Sequence, residues 1–142
     1  MPDFHVITRN TNDFVFEGQI DNYLFKMDAN PEVGGTHQGP SPKKVLLSSL
    51  AGCTGIDVVS LLHKMRVNFS DFEIVTDADL TTEHPKVFTH IDLIYRIRVA
   101  DEDREKVEKA VHLSEEKYCG ISAMLKKNSP INVRIEFLPP NN

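Results

Sequence analysis

Cys53 and Cys119 are the two residues of this chain best suited to redox chemistry. A thiolate can be oxidised to a sulfenic acid, and a second thiol can then condense with it to give a disulfide. The separation of the two cysteines along the chain neither favours nor forbids that bond, since only the geometry of the fold decides it. Free cysteines more often serve as small buried apolar residues. The residues by themselves therefore leave two roles open, a redox pair and inert packing.

The charged residues near Cys53 bear on whether a thiolate could form there. Asp57 follows Cys53 by four residues, so the two share one face of a helix, where a carboxylate disfavours a neighbouring thiolate. An activated Cys53 therefore needs a cation from elsewhere in the fold. Arg9 is the only arginine that precedes this segment, although a solvated strand position is the commoner role for such a residue. For Asp57 we favour a carboxylate on the helix surface or between two helices.

The histidines offer no recognisable metal site. They stand at positions 5, 37, 63, 84, 90 and 112 and show no H-x-x-x-H spacing, and the cysteines form no C-x-x-C pair. We therefore predict no bound metal. His37 lies in a loop rich in glycine and proline and could line a pocket, although an ordinary exposed loop histidine is the simpler interpretation.

The longest apolar segment, Pro42 to Arg66, predicts one long, mostly buried helix with Cys53 at its middle. Asp57, several hydroxyl residues and two glycines interrupt its apolar run, so we do not predict a membrane span. Gly52 and Gly55 each destabilise a helix by nearly ~1 kcal/mol relative to alanine. We therefore expect close approach of another backbone or a ligand beside Cys53.

The remaining segments alternate between strand and helix patterns. Two short strands around a turn at Asn10 to Asp13 and a third at Tyr23 to Met27 predict an opening meander. After the long helix, the pattern predicts a hairpin of two alternating strands, a helix from Asp101 to about Lys117, and a last strand from Ile131 to Phe137. This order predicts an α+β fold with an antiparallel sheet.

Length and composition limit the function classes. The 142 residues suit a single domain, 1–142, and a net charge of −5 without a basic run argues against nucleic-acid binding. The N-terminal residues do not form a secretory signal, and two cysteines are too few for a disulfide scaffold. We therefore expect a cytoplasmic protein with reduced thiols and small or neutral partners.

Several segments taken together resemble the OsmC/Ohr family. These are GPSP at 39–42, LLSSLAGC at 46–53 followed by DVV at 57–59, and EEKYC at 115–119. The loop and the spacing of the two cysteines are the most specific of these features, and the resemblance covers nearly the whole chain. It implies an OsmC-like α+β fold with antiparallel sheets around a long central cysteine-bearing helix. It also implies an intertwined homodimer with active sites at the subunit interface.

The resemblance further implies a cysteine-dependent peroxidase that reduces organic hydroperoxides in oxidative-stress defence. Cys53 would be the peroxidatic cysteine and Cys119 the resolving cysteine. Small or lipoyl-linked dithiols would recycle them, with no metal or flavin cofactor.

Family members carry a glutamate after the loop proline, bonded to an arginine that holds the thiolate. Lys43 stands at the position of that glutamate, and Arg9 precedes the first hairpin turn rather than following it. On a straight helix Lys43 would lie roughly 15 Å along the axis from Cys53. We therefore name Lys43, Arg9, Asp57 and His37 as candidates for stabilising the thiolate or lining the pocket.

Two alternatives stay open. The substitution at Lys43 is compatible with a catalytically silent protein that binds a small apolar or thiol ligand or senses oxidants. A thiol-dependent hydrolase or transferase would need a histidine base, and His63 is the nearest candidate. Its offset of ten residues from Cys53 places it on another helix face.

Overall fold

The structure, a computed structural model, describes residues 1–141 and has the predicted α+β architecture. Its strands are β1 Ile7–Asn12, β2 Val15–Ile20, β3 Tyr23–Met27, β4 Phe69–Leu80, β5 Phe88–Val99 and β6 Ile131–Leu138. Its α-helices are α1 Pro42–Lys64, α2 Arg104–Leu113 and α3 Gly120–Lys126. The chain divides into two compact units, 1–47 and 48–142, with the boundary inside α1. The single domain stays a prediction.

The first unit contains the predicted meander, an antiparallel sheet in the order β1-β2-β3. The turn between β1 and β2 is not at Asn10 to Asp13, as the sequence suggested, because β1 continues to Asn12. The Asn10 side chain donates hydrogen bonds to the carbonyl oxygens of Asp13 and Val15, and Asp13 takes a left-handed conformation with φ of 49°. These polar residues therefore close the hairpin from within the strand.

Asp28 organises the loop that leads from β3 to α1. Its side chain is buried and accepts hydrogen bonds from the backbone N–H groups of Thr36, Gln38 and Ala29. These bonds, that from Thr36 above all, hold the pKa of Asp28 below its ordinary value. His37 lies within this loop, exposed and with φ of 60°.

The long helix α1 is much less buried than the sequence predicted. It ends at Lys64, and its fully buried residues form one stripe: Leu50, Thr54, Val58 and Leu62. Ile56, on another face, is 73% exposed. By length and composition α1 could cross a membrane, but core helices of soluble proteins pass the same test. The prediction of a mostly buried helix is therefore wrong for the single chain.

The second unit contains a sheet in the order β4-β5-β6. β4 and β5 form the predicted long antiparallel hairpin, and the inward side of β5, including Ile91, Leu93 and Tyr95, is buried. β6 pairs parallel to β5, so the prediction of antiparallel pairing throughout is wrong for this strand pair. A parallel pair needs a crossover connection, and α2 and α3 lie between the two strands in the chain.

The connection from β5 to β6 is helical in several short pieces. A 3₁₀ turn at Asp101–Asp103 precedes α2, and a π-helical turn, Ser114–Tyr118, follows it. In that turn the Cys119 N–H donates to the Ser114 carbonyl at 2.8 Å. π-helical turns inside α-helices are rare and are frequent at functional sites.

Candidate active site

The fold brings Cys53, Asp57 and Cys119 together in the second unit. The two sulfur atoms and a carboxylate oxygen of Asp57 all lie within 4.8 Å of one another. Cys53 and Asp57 are one turn apart on the same side of α1, whereas Cys119 is the N-cap residue of α3. Tertiary structure therefore creates a group with two thiols and one carboxylate, which we call the thiol cluster.

The two thiols of the cluster differ in environment. Cys119 is 3% exposed, and its burial raises the pKa of its thiol to about 12, with a further rise from the adjacent Cys53. The Ser122 N–H, 3.4 Å from the Cys119 sulfur, opposes that rise in pKa. Cys53 is only partly buried. Cys119 is therefore a protonated, shielded thiol, and Cys53 is the thiol that solvent can reach.

A chain of buried hydroxyl groups runs from the thiol cluster into the core. The Ser114 hydroxyl donates to Asp57 at 3.1 Å, and Thr54 lies 2.7 Å from both Ser114 and the Tyr95 hydroxyl. The Tyr95 hydroxyl donates to Glu115 at 3.2 Å. Burial raises the pKa of Tyr95, so this phenol keeps its proton. We call this series of residues from Asp57 to Glu115 the hydroxyl chain.

The hydroxyl chain has one proton too few for its contacts when both carboxylates are ionised. Four oxygen-to-oxygen contacts join Asp57, Ser114, Thr54, Tyr95 and Glu115, but the three hydroxyl groups bring only three protons. Because Ser114 and Tyr95 donate to the carboxylates, Thr54 can donate to only one of its two neighbours. At most three hydrogen bonds therefore form.

Glu115 is the most strongly bonded polar side chain of the site. It is 8% exposed and accepts a hydrogen bond of 2.6 Å from the Ser122 hydroxyl in addition to that from Tyr95. The Lys126 ammonium lies 3.4 Å from its carboxylate and donates to its backbone carbonyl at 2.7 Å. These contacts tie the π-helical turn to α3 and so fix the position of Cys119 between them.

Sequence reasoning missed most of this polar network. It assigned no role to Tyr95, Ser114, Thr54 or Ser122. All four are fully buried. The usable signal was their position, because polar residues on buried faces must find hydrogen-bond partners.

The other predicted site residues lie in the first unit. Arg9 is exposed on β1, pairs in register with Glu17 and donates to the Gln19 side chain at 2.8 Å. Lys43 is exposed in the first turn of α1, and His37 is exposed in the preceding loop. The assigned roles of all three in stabilising a thiolate or lining a pocket stay predictions.

An open apolar groove of about 830 Å³ runs between α1 and β4 in the second unit. Ile56, Val59, Phe72 and Ile74 line it, together with Gly52 and Gly55. Apart from neighbouring atoms of α1 itself, a Cβ atom added at Gly52 would meet no atom of the described residues within 4 Å, and one at Gly55 would meet only the Ile74 side chain, at 3.3 Å. No close backbone approach within the described residues therefore accounts for these helix-weakening glycines.

Most of the chain matches a single protein-family model. A family model described as OsmC-like protein matches residues 35–134. Protein YhfA of Escherichia coli strain K12 is 40% identical over 90 residues, which cover 63% of this chain and 67% of YhfA.

Solved structures share the whole fold. A hypothetical protein from Aquifex aeolicus VF5 superposes with a TM-score of 0.85 and 26% identity, covering 98% of each chain. The organic hydroperoxide resistance protein OhrB of Bacillus subtilis superposes with a TM-score of 0.61 and 19% identity, covering 93% of this chain and 96% of OhrB. At that identity, the likeness to OhrB concerns the fold.

Proposed function

This chain belongs to the OsmC-like family, and from that premise we propose that it is a thiol-dependent peroxidase that reduces organic hydroperoxides in oxidative-stress defence. The proposal depends on one observation above all. Two cysteines far apart in the sequence lie with their sulfur atoms within 4.8 Å of each other. Inert packing does not require two thiols to meet, whereas disulfide formation does.

The unequal environments of the thiols support the assignment of roles. Cys53 is the more accessible and would attack the peroxide. Cys119 is buried and stays protonated at neutral pH, so it would not compete with Cys53 for the peroxide and is left to react with the oxidised Cys53 in the second step.

The proposed cycle has three steps. The Cys53 thiolate attacks one peroxide oxygen, the O–O bond breaks, and the alkoxide takes a proton from solvent to leave as an alcohol while Cys53 becomes a sulfenic acid. The Cys119 thiol then displaces water from that sulfenic acid and forms the disulfide. An external dithiol reduces the disulfide by thiol exchange and is itself oxidised to a cyclic disulfide. No metal or flavin takes part in these steps.

The groove beside α1 supports a preference for organic hydroperoxides over hydrogen peroxide. Its lining is mainly apolar, and it includes Gly52, the neighbour of Cys53. Apolar pockets bind an alkyl or aryl group better than water-like molecules. We therefore expect cumene hydroperoxide to react faster than hydrogen peroxide.

The open groove also supports a homodimer, in which a second copy of the chain covers α1. Gly52 faces open space, and Ile56 beside it is 73% exposed. In the first unit, Tyr23 and Leu24 are 76% and 62% exposed, more apolar surface than a meander usually leaves uncovered. A second copy packed along α1 would offset the cost of the helix glycines and would close the open side of the groove around the alkyl group of the peroxide. We further propose a cytoplasmic location, where both thiols start reduced.

A count of free thiols tests the peroxidase directly. Reduced protein is mixed with one equivalent of cumene hydroperoxide or hydrogen peroxide, quenched over time and titrated with a thiol reagent. We expect both thiols to disappear together, faster with the organic peroxide. If the thiols remain free for minutes, the peroxidase hypothesis is rejected. The alternative is then a catalytically silent protein that binds a ligand, and Lys43, exposed at the position of the family glutamate, would explain the missing activity.

Two matched variants separate the roles of the cysteines. Cys53→Ser should abolish peroxide consumption, and a variant with full activity would contradict the mechanism. Cys119→Ser should still consume one equivalent of peroxide but stop as a sulfenic acid, which dimedone traps.

A further inference from the structure

We propose that the reduced thiol cluster is a binding site for a soft divalent cation, Zn²⁺ above all, with Cys53, Cys119 and Asp57 as ligands. The spacing of histidines and cysteines in the sequence did not suggest such a site. Two thiolates and a carboxylate nevertheless form a donor set that zinc binds in proteins. The site becomes visible only when the fold brings Cys119 to α1.

The geometry of the cluster fits one tetrahedral ion. Donor atoms around a shared zinc lie about 3.5–3.8 Å apart, given metal-to-ligand distances of about 2.0–2.3 Å. The three donor atoms lie within 4.8 Å of one another, so the widest separation has to close by about 1 Å. Cys53 and Asp57 stand four residues apart on α1, the same spacing by which two helical residues share a metal in other proteins.

The hydroxyl chain supplies the support that a metal-ligating carboxylate needs. Ser114 donates to Asp57 at 3.1 Å, and Thr54 holds Ser114 at 2.7 Å. Such outer contacts orient a ligand and typically change metal affinity by about 10–100-fold. Cys53 is partly exposed, so an ion can enter from solvent, and three protein ligands leave the fourth position to water or an added thiol.

Binding would control the proposed peroxidase, and this consequence rests on that function. Zn²⁺ binds cysteine as the thiolate, so binding releases any proton that the ligating thiols still carry. A sulfur bonded to zinc has no free thiolate to attack a peroxide. Conversely, oxidation to the disulfide removes both sulfur ligands and releases the ion. Metal binding and peroxide reduction therefore exclude each other.

The test is a titration of the reduced full-length protein with Co²⁺, followed by displacement with Zn²⁺. Tetrahedral thiolate ligation should give sulfur-to-cobalt charge-transfer bands and a stoichiometry of one ion per chain. Asp57→Asn should keep the thiols but weaken binding at least about tenfold. Asp77→Asn removes an exposed carboxylate outside the cluster and should bind like the wild type.

The outcomes separate this inference from the proposed peroxidase. Cobalt binding without charge-transfer bands, or equal affinity in Asp57→Asn and wild type, would overturn the site. The disulfide form of the wild type should not bind, and equal binding by that form would also overturn it. A protein that binds zinc through both thiols but ignores peroxide would refute only the peroxidase. A peroxidase that one equivalent of Zn²⁺ does not inhibit would refute the regulation.

Discussion

The proton count of the hydroxyl chain predicts how strongly Thr54→Val destabilises the fold. The Thr54 hydroxyl contacts both Tyr95 and Ser114 at 2.7 Å, but its single proton can serve only one of them. Valine has the same shape without the hydroxyl group. After the substitution Ser114 still donates to Asp57 and Tyr95 to Glu115, so every remaining contact has its proton. The variant should therefore lose one neutral hydrogen bond, about 0.5–1.5 kcal/mol of unfolding free energy.

Ser122→Ala is the matched comparison, because Ser122 is also fully buried but makes a different kind of contact. Its hydroxyl donates an unshared bond of 2.6 Å to the Glu115 carboxylate. Hydrogen bonds to charged groups contribute about 1.5–3 kcal/mol. The Thr54 hydroxyl makes two short contacts and the Ser122 hydroxyl one, so a count of contacts predicts a larger loss of stability for Thr54→Val. A count of the hydrogen bonds that the available protons allow predicts a larger loss for Ser122→Ala.

Urea denaturation and thermal melts followed by circular dichroism, at one fixed protein concentration, measure the free energies of unfolding and the melting temperatures of the two variants. We expect Thr54→Val to lower the melting temperature by about 3 °C and Ser122→Ala by about twice that. Thr54→Ser, which keeps the hydroxyl group, should retain the bond. If Thr54→Val lowers the unfolding free energy as much as Ser122→Ala or more, the count of three protons in the hydroxyl chain is wrong, because a fourth proton would have to lie on a carboxyl group.

Other predictions concern the loop, the dimer and the resolving thiol. Because the fold lowers the pKa of Asp28, the ionised side chain should stabilise the protein fully above the ordinary carboxyl pKa of about 3.9, and this stabilisation should disappear as the pH falls through the lowered value. The Asp28→Asn variant should lack this pH-dependent loss of stability in acid denaturation. An acid denaturation profile identical to that of the wild type would contradict the prediction. Ile56→Glu should convert the proposed homodimer to monomer in analytical ultracentrifugation, because it places a charge in the groove that a second copy would cover, whereas Met124→Glu, on an α3 residue of similar exposure, should stay dimeric. A monomeric wild type would contradict the dimer. Because its raised pKa of about 12 keeps Cys119 protonated, alkylation of reduced Cys53→Ser by iodoacetamide should stay slow up to about pH 10, and rapid labelling near pH 8 would contradict the burial of this thiol.

The sequence predicted the fold class and the family correctly. The alternating hairpin predicted after the long helix corresponds to β4 and β5, and the helix predicted from Asp101 corresponds to α2, which ends at Leu113 rather than near Lys117. The periodicity of apolar residues is a local property, so it can be recognised without knowledge of the rest of the fold. The short motifs around Cys53 and Cys119 likewise gave the OsmC/Ohr resemblance, which the family match confirms.

Predictions from local sequence patterns were wrong where the structure depends on contacts outside the pattern itself. The composition of α1 predicted burial on most sides, yet within the described residues only one stripe of it is fully buried, because hydropathy alone does not say which side of a helix meets another element. The hairpin turn shifted to Asp13 since the Asn10 side chain could bond within the strand. The direction of β6 depended on the crossover connection and not on its own residues.

The sequence by itself determined which residues could do chemistry: two thiols, one of them four residues from a carboxylate on the same helix face. Only the tertiary structure decided that Cys119 meets Cys53 and Asp57, and that the buried hydroxyls of Thr54, Tyr95 and Ser114 link Asp57 to Glu115. Sulfur chemistry and hydrogen bonding act over a few ångströms. Distances of that size between remote residues are set by the packing of α1 against the other elements of the second unit and by the π-helical turn that precedes Cys119.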